Sequence, residues 1–104
     1  MKVAELMTSP LRTVSSGKSV QHASALMAEH RIGSLAVMDN GRIVGIITSR
    51  DVRAAHPNRI VADAMTPDPV TAPADCFAWE ALAAMESEGI ERLIVTDGGQ
   101  AAGI

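Results

Sequence analysis

Apolar residues along this chain fall into two rhythms, and each rhythm occurs twice. Val20, Ala23 and Met27 lie three and four residues apart, the spacing that lines one face of a helix, and Ala78, Ala81, Leu82 and Met85 repeat it further on. Leu35 to Asp39 and Arg42 to Ile47 are dense in aliphatic residues and read as strands. Asn40-Gly41 between them is a strong signal for a type I′ hairpin turn, and Gly98-Gly99 stands at the same place later. Leu11 to Ser15 and Pro69 to Pro73 read as short extended segments, Ser49 to about Ala55 as a closing helix, and His56-Pro57-Asn58 as a linker. Val3 to Thr8 and Val61 to Thr66 read as short helical turns, stopped by Pro10 and Pro67. Ser16 or Ser19, and Asp75, are the expected N-caps; Gly33 and Gly89 are the expected helix stops.

These duplicated patterns share a single register. An offset of 58 residues pairs Met7 with Met65, Thr13 with Thr71, Met27 with Met85, Asp39 with Asp97 and Gly45 with Gly103, without a gap. The chain therefore reads as a tandem repeat, each copy a β-α-β-β-α unit that buries its apolar face against the other. Residues 1–57 form the first copy with its closing helix and linker, and 58–104 the second. The second copy reads as truncated, because Ile104 corresponds to Ile46 and the last strand end and closing helix have no counterpart.

Composition narrows what such a unit can do. The chain has 104 residues, 47% of them hydrophobic, with one Trp, one Phe and no Tyr, so the core is aliphatic and stacking platforms for single-stranded nucleic acid are missing. A net charge of −3 without a basic cluster argues against nucleic acid as a partner. No apolar run approaches the roughly 20 residues of a membrane span. Cys76 is the single cysteine and cannot form an intrachain disulfide, which fits a cytoplasmic protein.

The stretch with the most chemistry in it is Gly45-Ile46-Ile47-Thr48-Ser49-Arg50-Asp51. A buried strand runs into a hydroxyl, and a carboxylate follows three residues later at the start of a helix. One reading is a capping box, Thr48 accepting from the first turn and Asp51 returning the bond. Another is a place for the hydroxyls and phosphates of a nucleotide at a helix N-terminus. The stretch alone leaves both open.

The tandem repeat, the Met-Thr-Ser-Pro and Met-Thr-Pro-Asp-Pro openings, the Asn-Gly hairpin and the Gly-Ile-Ile-Thr-Ser-Arg-Asp ending together resemble a CBS-domain pair, or Bateman module, over nearly the whole chain. The resemblance implies an α/β fold of two pseudo-twofold-related repeats, with clefts that bind AMP, ADP, ATP or S-adenosylmethionine as regulatory ligands and with no required cofactor. It implies a small sensor or a module controlling an enzyme or transporter, commonly a homodimer. Matched position by position, Thr48 and Asp51 are the hydroxyl and acid at the ribose. Val70, Thr71 and Ala72 then meet adenine, Ile90, Glu91 and Arg92 border the same cleft, and Arg50 and Arg92 can meet phosphates. The mirror-related cleft uses Thr13, Val14, Gly33 and Ser34 and lacks its acid. The alternative is a ligand-free dimerisation scaffold in which Thr48 and Asp51 only cap a helix.

Other candidates are weaker. His22 and His30 lie about 12 Å apart along one helix, too far to share an ion, and with His56 they read as surface histidines rather than metal ligands. Cys76 falls in a first helical turn that could lower its pKa, yet has no histidine beside it in sequence; an inert thiol is the expectation. The methionines recur at matched positions as core filler, and Trp79 reads as helix packing. No catalytic constellation stands at a strand-to-turn elbow, so the expected activity is binding, not turnover.

Overall fold

In the computed structural model, residues 1–5, 11–69, 71–88, 93–97 and 100–104 are described. A 3-10 turn at Val3–Glu5 precedes β1 (Thr13–Val14), α1 (Val20–His30), β2 (Ser34–Asp39), β3 (Arg42–Thr48) and α2 (Ser49–Ala54). Then follow α3 (Val61–Ala64), β4 (Thr66–Pro67), β5 (Thr71–Pro73), α4 (Ala78–Glu88), β6 (Ile94–Asp97) and β7 (Gln100–Gly103). The strands form two sheets, ordered β1-β2-β3-β4 and β5-β6-β7. In each sheet the first pair is parallel, joined by a helix, and the next is an antiparallel hairpin.

The 58-residue repeat survives down to individual backbone pairs. Val14 opposite Val37 has its counterpart in Ala72 opposite Val95, and Val37 opposite Gly45 in Val95 opposite Gly103. Even the irregularity in the hairpin recurs, between Val37 and Met38 in one copy and Val95 and Thr96 in the other. Asn40 and Gly41 both take positive φ, 53° and 76°, as a type I′ turn requires. Gly98-Gly99, Gly89, Met7 and Thr8 lie outside the described residues.

The packing units do not follow the sequence repeat. One compact unit is Arg12–Pro69; the other comprises the described residues of Met1–Leu11 and Val70–Ile104. Each unit is completed by the opening segment of the other repeat. In the first, the N–H groups of Val61 and Ala62 donate to the carbonyls of Lys18 and Ser16, at 2.7 and 3.0 Å. In the second, Val3 and Ala4 do the same to Cys76 and Ala74, at 2.9 and 3.0 Å, again 58 residues apart. Val61 is fully buried in the core of Val14, Ala23, Met27, Leu35, Val37 and Ile47, while Val3 joins Ala72, Ala81, Leu93 and Val95.

Several expectations need correction. Thr66 and Pro67 are not the end of a helical turn; they pair with β3, Thr66 opposite Ile46 and Pro67 opposite Gly45. The strand can come this close because residue 45 lacks a side chain: a Cβ there would lie 2.9 Å from the Thr66 carbonyl oxygen. α1 ends on Arg31 in the left-handed conformation, φ 54° and ψ 48°, and not on Gly33; Gly33 instead accepts a bond from the Ser49 N–H at 2.8 Å. Asp75 stands too early to cap α4, which starts at Ala78. Phe77 precedes the helix, and its N–H donates to Glu80 at 3.2 Å. Of the two serines, Ser19 caps α1, accepting from the His22 N–H, while Ser16 turns to Asp39, giving it both its N–H and its hydroxyl.

Candidate functional site

β3 is buried through Gly45, Ile46 and Ile47 and emerges at Thr48, where the chain turns directly into α2. Thr48 takes an extended conformation, φ −113° and ψ 166°, which aims its side chain back over the first helical turn. Its Oγ1 accepts from the Asp51 N–H at 3.3 Å, and Asp51 Oδ2 accepts from the Thr48 N–H at 2.9 Å. This is a complete capping box. Asp51 is half-buried, and because the cap engages Oδ2, its Oδ1 remains as acceptor capacity beside the positive end of the helix.

The register of the sheet brings other expected residues to the same end. Ser34, buried, lies directly opposite Thr48 across the hairpin, and Gly33 is tied to Ser49. Thr13 and Val14 open β1, parallel to β2 and paired with Ala36 and Val37; Thr13 is exposed and Val14 buried. Arg50 is exposed on the first turn of α2. So Thr13, Val14, Gly33, Ser34, Thr48, Arg50 and Asp51 gather at one end of one sheet. Thr71 and Ala72 occupy matching places on β5, exposed and buried respectively. Val70, Ile90, Glu91 and Arg92 lie outside the described residues.

One feature of this neighbourhood has no signal in the sequence. A groove of about 530 Å³ runs from Asp51 along Ala54 and Ala55 to His56, Arg59 and Asp63. Arg59, just before α3, and Asp63 within it are four residues apart and pair at 3.6 Å on the surface, so their spacing is a readable signal of an ion pair, though not of a groove. His56 Nδ1 accepts from the Asn58 N–H at 3.1 Å and closes the linker turn.

The remaining chemistry is quiet. No group of three or more potential metal ligands occurs among the described residues. Burial pushes the Cys76 thiol up, and the nearby Glu80 and Asp75 carboxylates add to it, so the helix start does not activate this cysteine as the sequence allowed. Trp79 is 69% exposed and is not the packing residue expected. The Ser16 hydroxyl, followed by its N–H, holds the Asp39 carboxyl below the usual carboxylate range.

Two copies of one β-α-β-β frame, in register down to the hairpin irregularity and with a capped helix at a strand end, define a tandem α/β repeat protein. The family model for the CBS domain matches residues 3–58 and again 61–104, and the chain belongs to that family. It is similar to inosine-5′-monophosphate dehydrogenase of Korarchaeum cryptofilum, 39% identical over 94 residues, which cover 88% of this chain and 20% of that enzyme. The chain thus spans about 20% of the length of the dehydrogenases it matches. Among solved structures it resembles the CBS domain pair of protein MJ0100 in complex with 5′-methylthioadenosine and S-adenosyl-L-methionine, with TM-score 0.88 and 27% identity, covering 99% of this chain and 86% of that one. It also resembles CBSX2 in complex with AMP, with TM-score 0.80 and 25% identity, covering 98% and 87%.

Proposed function

We propose that this CBS-domain pair is a regulatory module that binds an adenosyl compound, AMP, ADP, ATP or S-adenosylmethionine, in a cleft between its repeats. Thr48 and Asp51 receive the ribose, with Arg50 beside them. Val70, Thr71, Ala72, Ile90, Glu91 and Arg92 of the other repeat complete the cleft, while Thr13, Val14, Gly33 and Ser34 serve its mirror-related counterpart. The ligand is sensed and not turned over, so the module is no enzyme. It acts in the cytoplasm as a homodimer on an enzyme or transporter, with no nucleic acid or membrane as partner. Occupancy becomes a signal because ligand favours one arrangement of the repeats over others.

The observation that carries this reading is the half-buried Asp51 in the first helical turn after the strand end. Its Oδ2 is spent on the cap, but a carboxylate has a second oxygen able to accept from a ribose hydroxyl. Adenosyl ligands in CBS proteins of the same fold support it. The second reading, a ligand-free scaffold, is favoured by the completeness of the same capping box, which accounts for both side chains without any ligand.

A thermal-shift panel of AMP, ADP, ATP, S-adenosylmethionine and 5′-methylthioadenosine on the chain and on Asp51→Asn separates the two. Ligand at about a hundred times its dissociation constant adds roughly 2.7 kcal/mol, several degrees in Tm. The sensor reading expects a shift for at least one compound and a dissociation constant weakened about 10- to 100-fold in Asp51→Asn. The scaffold reading expects no shift for any compound, and only the loss of about 1 kcal/mol of cap stability in the variant.

A further inference from the structure

The groove that begins at Asp51 continues well past the ribose position. Asp51, Ala54 and Ala55 line it from α2, where a spacing of three and four residues puts them on one helix face. Arg59, just before α3, and Asp63 and Ala64 line it from the other side of the linker, with His56 between. At about 530 Å³ it has the size of a small-molecule site. The fold itself uses little of what lines it. The Arg59 carbonyl accepts from the Val20 N–H at 2.7 Å, and the Met1 carbonyl makes the matching bond to Ala78 at 2.9 Å in the other unit, so no guanidinium is required there. Arg59 and Asp63 stand 3.6 Å apart with side chains 67% and 51% exposed, a surface pair that adds little to stability and that a ligand can open.

The fixed charges lining the groove are two carboxylates, Asp51 and Asp63, and one guanidinium, Arg59. A polyphosphate tail would meet a net negative surface, because Arg50, the cation given to phosphates in the reading above, does not line it. S-adenosylmethionine carries the opposite set of charges: a sulfonium next to the ribose, then methylenes, then an ammonium and a carboxylate on one carbon. Resting on the adenosyl-binding reading above, we infer that the groove holds this methionyl tail, which makes S-adenosylmethionine the ligand of this chain and Arg59 and Asp63 its specificity-determining residues. The sulfonium lies beside Asp51, and the methylenes run along Ala54, Ala55 and Ala64. At the far end Arg59 donates to the carboxylate and Asp63 accepts from the ammonium. His56 adds a donor: its Nδ1 accepts from the Asn58 N–H, so the neutral ring carries its proton on Nε2. 5′-Methylthioadenosine has neither the sulfonium nor the tail, and ATP sets its phosphates against two carboxylates.

The test is calorimetric titration of the full chain, and of Arg59→Gln and Asp63→Asn, with S-adenosylmethionine, 5′-methylthioadenosine and ATP, and with circular dichroism to confirm that each variant is folded. The natural chain is expected to bind S-adenosylmethionine about 30-fold or more tighter than either of the other two. Each variant is expected to cut its preference over 5′-methylthioadenosine about 10-fold. The readout is a ratio between two ligands that share adenine and ribose, so general damage to the cleft does not move it. A chain that binds ATP or 5′-methylthioadenosine as tightly as S-adenosylmethionine overturns the inference and leaves the sensor reading standing. So does a preference that neither variant changes. A chain that binds no adenosyl compound at all removes both.

Discussion

At the scale of single residues, two carboxylates show how position decides their use. Asp51 and Asp39 both accept from backbone N–H groups, but Asp51 stands at the first turn of a helix and Asp39 at the end of β2, where Ser16 offers N–H and hydroxyl together. The Ser16 bonds lower the Asp39 pKa below its ordinary 3.8. A lowered folded-state pKa means that this carboxylate stabilises the fold above its unfolded value, and that the contribution fades as pH falls through the folded one. Denaturant midpoints measured from about pH 5 down to pH 3 are therefore expected to fall more steeply in the natural chain than in Asp39→Asn. Equal slopes would remove Asp39 from the acid response. The Asp51 cap was readable from Thr48 and its spacing, because a capping box closes within one turn of chain. The Ser16 partner was not, because Asp39 is 23 residues away and meets it only through the pairing of β1 with β2.

At the scale of elements, the hairpin and the two long helices were legible and the short pieces were not. Asn40-Gly41 specifies its turn through φ alone, and α1 and α4 each follow an apolar period over 11 residues. β4 has only Thr66 and Pro67, too short for any period, and exists because β3 leaves room for it at Gly45. Gly45→Ala would place a Cβ 2.9 Å from the Thr66 oxygen and against the Met65 side chain. We expect it to cost about 1–3 kcal/mol in chemical denaturation, the range of an overpacked interior, and to speed amide exchange in residues 66–68. A neutral outcome would mean that β4 is not held against β3. The end of α1 is set locally: Arg31, two residues before the glycine expected to stop the helix, takes the left-handed conformation, and the Arg31 and Ile32 N–H groups donate to the Ala28 and Met27 carbonyls, while the Gly33 carbonyl is left to accept from Ser49.

At the scale of the whole molecule, the sequence repeat and the packing unit are offset. Val61 belongs to the second repeat by sequence, 61–104, yet is fully buried among Val14, Val37 and Ile47 of the first. Val3 in turn is buried with Ala72 and Val95. Removing two methyl groups from a buried valine costs about 2 kcal/mol. Hydrogen exchange on Val61→Ala is expected to show lost protection in residues 12–55, and on Val3→Ala in residues 71–88. If Val61→Ala instead loosens only 71–104, the segment is not exchanged between units as described.

What the sequence determined by itself was whatever lies within a turn of helix, a hairpin or a fixed offset. The α/β class, the duplication, the Asn-Gly turn and the Thr48–Asp51 cap all follow from spacing along one chain. Tertiary structure alone decided which segment completes each unit, since Val3 and Val61 carry the same local pattern whichever core receives them. It alone opened the groove from Asp51 to Asp63 and left Trp79 in water. Those outcomes depend on which surfaces meet, and an apolar residue states only that it favours burial, not against what.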